Sequence, residues 1–141
     1  MPAIDDTFLA LPLDALADAA LSRAEQLGCT HADVRVERIR QALRVFRDGV
    51  LQTNTDGQTQ GLAVRVLHEG TWGFASDIVL TPDAAAELAV RAVATARLSR
   101  PLTAQPVELA PEPVYADVSW CSAYEVNPFE VPEAEQQARM L

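Results

Sequence analysis

The hydrophobic pattern of this chain changes period twice, from helical to two-residue and back, and this double change narrows the folds open to it. Leu13, Leu16, Ala17, Ala20, Leu21, Ala24 and Leu27 recur at three- and four-residue steps, so a helix with one apolar stripe is expected from Pro12 to Leu27. Pro12 suits a first helical position, Asp14 lies near the positive end of the dipole, and Gly28 can take the left-handed conformation that ends a helix. From Ala32 to Ser76 the pattern alternates. Val34 and Val36 are interleaved with Asp33, Arg35 and Glu37, as in a strand with one wet face. The alternation slips near Arg38 and Ile39, which suggests a bulge or a strand break there.

Three turn signals divide this stretch: Asp48-Gly49, Asp56-Gly57 and Glu69-Gly70. They imply a polar, exposed strand over Val50 to Thr55, an apolar central strand over Leu62 to Leu67, and a last strand over Thr71 to Ser76. A second helix is expected from Pro82 to Leu98. Thr81 is its N-cap, Leu80 braces its start, and Glu87 pairs with Arg91 across one turn. Its stripe of Ala85, Leu88, Ala89, Ala92, Val93 and Ala96 is small enough to lie close to a sheet. The expected fold is α+β: an antiparallel meander of four to five strands with two helices packed on it.

Residues 1–100 form this domain. Pro101, Pro106, Pro111 and Pro113 then mark an extended linker through residues 101–141, with a stray strand at Val118 to Trp120 and helix starts at Asn127-Pro128 and Val131-Pro132. A last helix from Glu133 to Leu141 has no stop signal, so the polypeptide is expected to continue into a further region.

The length of 141 residues fits one core. The net charge of -9, with all 11 basic residues being Arg, argues against nucleic-acid binding, which needs a basic stripe to neutralise phosphates. Its even spread suits solubility. No apolar run approaches a membrane span, and the acidic start is unlike an export signal. Cys29 and Cys121 stand far apart, as expected of two ordinary thiols in a reduced cytoplasmic protein.

Catalytic constellations are hard to find. His68-Glu69 lacks the second His one turn on that a zinc helix requires, and the following Gly-Thr-Trp-Gly does not sustain a helix. Cys29 and His31 sit on a turning loop with no geometry for a thiolate pair. Asp5-Asp6 and Glu133 with Glu135 read as solvated terminal carboxylates. Gly57 and Gly61 lack the lysine and helix of a phosphate loop. Trp72 and Phe74 share one strand face; packing against a helix is the expectation, and a ligand-facing strip the alternative.

The ordered set Ala32-Asp-Val-Arg-Val-Glu37, Arg47-Asp-Gly49, Gly61-Leu-Ala-Val-Arg-Val-Leu67 and Trp72-Gly-Phe-Ala-Ser76 before an alanine-rich helix resembles the amino-terminal domain of the TldD/PmbA family. Those proteins are also labelled modulators of DNA gyrase. Tyr124-Glu-Val-Asn-Pro-Phe129 resembles the TldD-like members. The resemblance implies a cytoplasmic zinc metalloprotease that degrades unfolded peptides and processes peptide precursors. Its H-E-x-x-x-H motif is expected in a later region, with a PmbA-like or TldD-like partner subunit. No catalytic or metal residue carries over to this chain, so no cofactor is expected within it.

The expected role is a non-catalytic front domain that helps wall a substrate chamber and meets the partner subunit. Leu51, Thr53, Arg65, Trp72 and Phe74 are the candidate contacts with peptide or partner. The alternatives are a free-standing protein-binding module and the front domain of the metal-free partner. An acidic domain offers DNA no direct contact, so the gyrase label gains nothing from composition.

Overall fold

The computed structural model describes residues 5–140. In chain order the elements are α1 (Asp6–Leu9), α2 (Leu13–Gln26), β1 (His31–Arg47), β2 (Val50–His68), β3 (Thr71–Asp77), α3 (Pro82–Ser99) and α4 (Glu133–Ala138). The three strands form one antiparallel sheet in the order β1-β2-β3. Helices α2 and α3 lie side by side on one face of it, an α+β arrangement as expected.

The sheet has three strands where the turn signals implied four to five. Asp48 and Gly49 both have positive φ, 51° and 74°, and Glu69 and Gly70 repeat this at 49° and 72°, so each makes a tight two-residue hairpin turn. Asp56 and Gly57 make no turn. They lie inside β2, opposite Ala42 and Gln41. Continuous pairing with β1 overrides the local signal, and Asp56 is held there by both nitrogens of an Arg40 fork, at 2.7 and 3.1 Å.

The expected bulge at Arg38 and Ile39 is likewise absent, and the register shifts instead between Val45 and Phe46. What changes at Arg38 is the covering layer, not the backbone. Val34 and Val36 face the helices, but Arg38 on the same face meets Gln60, Thr7 and the Phe8 ring.

The core is Leu16, Ala20 and Ala24 of α2, Leu62, Val64 and Val66 of β2, Ala75 of β3, and Ala85, Leu88, Ala89, Ala92 and Val93 of α3. Each large side chain buried here contributes about 1.5–3 kcal/mol against chain entropy. Thr81 caps α3 through the Ala84 amide, and Leu80 packs on the core. Pro12 is the N-cap of α2, one position earlier than expected. Arg91 pairs with Asp77 at 3.1 Å and not with Glu87. Asp77 also accepts from the Ile78 and Val79 amides, which turns the chain away from the sheet and holds this carboxyl below its ordinary range.

The terminal segments also depart from expectation. Asp5 is no idle carboxylate, since it caps α1 through Thr7. Val118 to Trp120 forms no strand, since among the described residues no strand pairs with it. Asn127-Pro128 opens a turn, whereas Val131-Pro132 does precede a helix, which ends at Ala138. Leu141 lies outside the described residues.

A Cβ on Gly73 would stand 1.9 Å from the Ala92 carbonyl oxygen, whereas one on Gly57 would meet nothing within 4 Å. Gly73→Ala is therefore expected to lower stability by about 2 kcal/mol or more in urea unfolding. Gly57→Ala should be neutral within about 0.5 kcal/mol. A loss at Gly57 as large as at Gly73 would mean that residue 57 belongs to a turn after all.

Candidate functional site

The face of the sheet opposite the helices is bare among the described residues, and its composition follows from alternation. Thr71, Gly73 and Ala75 are buried toward the helices, so Trp72, Phe74 and Ser76 point the other way. The sequence reading preferred a core position for Trp72 and Phe74. The structure reverses this: Phe74 is 56% exposed, and the Arg65 guanidinium lies over the Trp72 ring at 4.6 Å. Small residues are needed beneath the alanine stripe of α3, and the aromatics take the remaining face.

Arg65 is fixed from a second side by Asp33, whose carboxylate accepts from Nε at 2.8 Å. His31 Nε2 approaches the same carboxylate at 3.5 Å and meets Trp72 edge-on, with ring centroids 5.8 Å apart. Beside this cluster lies an open groove of about 780 Å³, lined by Arg35, Ile39, Gly61, Ala63, Phe74 and Ile78 among others. Ile39 and Ile78 were missed from sequence. Ile39 follows the apparent slip at Arg38, but counting onward from Asp33, Arg35 and Glu37 in steps of two would have placed it on the open face.

Arg65, Trp72 and Phe74 thus come together, with Arg65 directly opposite Phe74 in the register. Leu51 and Thr53 do not join them. They pair with Phe46 and Val45 near the hairpin tip, and Thr53 is twelve residues from Arg65, roughly 40 Å along an extended strand. What links the two groups is an edge. β3 pairs only with Leu62–His68 of β2, so from Val50 to Gly61 the side of β2 away from β1 carries no strand among the described residues. This stretch holds no proline to blunt pairing.

The reactive side chains stay dispersed. Cys29 packs against the core, and burial pushes its thiol above the ordinary range. It is therefore a poorer nucleophile than a free cysteine. His68 is buried at the end of β2. Among the described residues, no three His, Cys, Asp or Glu side chains gather closely enough to hold a metal ion. Zinc therefore does not fit the residues present. Among them, too, no helix is long and apolar enough to cross a membrane.

Residues 32–96, a little under half of the chain, match the family model described as PmbA/TldA metallopeptidase domain 1. The resemblance carried by the sequence motifs is to this family and to this end of it. A protein named Metalloprotease from Methanothermobacter thermautotrophicus (strain Delta H) is 35% identical over 63 residues, covering 45% of this chain. The matched segment spans 13% of that relative's length.

The raised Cys29 thiol sets a kinetic expectation. Iodoacetamide at pH 8 should alkylate exposed Cys121 at least about tenfold faster than Cys29, as read by peptide mass spectrometry. Equal rates would contradict the half-buried, less reactive placement of Cys29.

Proposed function

With residues 32–96 matching a PmbA/TldA first domain, we propose that this chain is the non-catalytic N-terminal domain of a PmbA/TldD-type zinc metallopeptidase of the cytoplasm. In this reading the zinc and the bond-breaking chemistry belong to a later region of the polypeptide. The domain contributes part of the wall of the substrate chamber, contacts with a partner subunit, and a surface that receives unfolded peptide.

The observation that carries the reading is the side of β2 from Val50 to Gly61, unpaired among the described residues and running toward the open face with Phe74 and Arg65. An open strand edge recognises backbone amides and carbonyls, which every extended chain presents and folded proteins keep paired. Selection for unfolded peptide then needs no sequence-specific pocket. The side chains along this edge are Thr53, Thr55, Gly57 and Thr59 on one face and Asn54, Asp56, Gln58 and Gln60 on the other; Asp56 carries the one charge, and Arg40 engages it. They neither block nor strongly select an incoming strand. Arg65 and Phe74 add a cation and an aromatic surface where that strand would pass the end of β3.

Whether the parent is TldD-like or PmbA-like is decided outside these residues. An H-E-x-x-x-H motif in the reading frame beyond Leu141 supports the zinc-bearing member, and an open frame without it supports the metal-free partner.

Calorimetric titration with an unstructured peptide of about ten residues tests the binding role. Binding below millimolar is expected, with Phe74→Ala and Arg65→Ala each weakening it about fivefold or more. No heat of binding at millimolar peptide would confine the domain to a structural part.

A further inference from the structure

Beyond the three-stranded region, the helix-side face of the β1–β2 ribbon presents a row of arginines, and the two ends of the chain cover it. Arg38 is met by Asp5, Thr7 and Phe8, from α1 and the residue that caps it. Arg40 lies under the Phe129 ring at 4.7 Å. The Arg44 guanidinium donates to Gln136 at 2.9 Å and approaches Glu133 at 4.0 Å, while Asn54 beside it also donates to Glu133. Gln136 in turn donates to the carbonyls of Pro128 and Val131, at 2.7 and 2.8 Å, and knots the segment into one body.

We propose that residues 127–139 are a releasable strap, fastened to the arginine face of the ribbon by Arg40 and Arg44, whose opening uncovers that face without disturbing the core. Three features make the fastening reversible. α4 buries no residue, so polar and cation–π contacts hold the strap, with no apolar anchor in the core. The side chain of Arg44 is only 10% exposed, and its Nε has no partner, so closure leaves one donor desolvated and unpaired. The connection behind the strap is long and slack. Val107 is pinned to the Gly70 carbonyl at 2.8 Å, but residues 108–126 form no helix or strand and are exposed.

Glu133 of the strap stands 4.0 Å from Arg44, so attraction between these two charges contributes to closure and salt weakens it, whereas Glu135 is paired with Arg139 inside the strap. A helix as short as α4 has no stability of its own. Protection of its amides therefore reports docking, not helix propensity.

Amide hydrogen exchange on the full chain tests this. Gln136→Ala and Glu133→Gln change only strap residues and cannot open the core, so they accompany the riskier Arg44→Ala. Each variant, and wild type in 0.5 M sodium chloride, should exchange the amides of Gln136, Arg139 and Met140 about tenfold faster. The amides of Leu62–His68 and the urea midpoint should stay unchanged. Equal strap exchange in Gln136→Ala and wild type would overturn the proposal, as would strap amides that exchange only together with the core. Protection that rises with protein concentration would also overturn it, by placing the strap on a second copy.

Discussion

The close approach of α3 to β3 at Gly73 is the contact on which the rest depends. With the Ala92 carbonyl so near, no side chain fits at residue 73, and the neighbouring inward positions must be small as well. Ala85, Ala89, Ala92 and Ala96 supply the matching stripe on the helix. The consequence reaches through the sheet. Because Thr71, Gly73 and Ala75 face inward, Trp72 and Phe74 face outward, and Arg65 is positioned to stack on Trp72 while bonded to Asp33. The packing of the core thus creates the aromatic and charged face of the other side.

A mismatch of lengths then shapes the molecule. Helices of 14 and 18 residues span roughly 21 and 27 Å at the rise of an α-helix. Strands of 17 and 19 residues span roughly 56 and 63 Å. The helices therefore cover only about half of the long hairpin, and β3, with 7 residues, covers even less of the edge of β2. What remains is a two-stranded ribbon with one face toward the terminal segments and, among the described residues, one face bare and one edge unpaired. Such a ribbon gains little from apolar burial. Cross-strand pairs such as Arg40 with Asp56 and Arg38 with Gln60 stabilise it instead.

Much of this was legible in the residues. The two helices, their caps and the Asp48-Gly49 and Glu69-Gly70 turns follow from local chemistry, and each is found within a residue or so of its expected place. The failures share a cause, which is that local signals cannot see the partner strand. Asp56-Gly57 has the composition of a turn, but its conformation is decided by β1 across the ladder. The slip at Arg38 looked like a backbone irregularity because the apolar pattern stops where the helix layer stops. Trp72 and Phe74 were misplaced by their size alone. The better clue was Gly73 and Ala75 between and after them, facing a helix rich in alanine. Leu51 and Thr53 share the candidate contact set with Arg65 in the sequence, and the length of β2 separates them.

The central claim is that the free side of β2 accepts an extended chain. Nitrogen-15 chemical-shift mapping of the domain with an unstructured peptide tests it most directly. The account predicts that the largest shifts fall on the backbone amides of Val50–Gly61 and on Arg65 and Phe74, with α2 and α3 little changed. Shifts concentrated on the helices, or none along β2 at millimolar peptide, would contradict it.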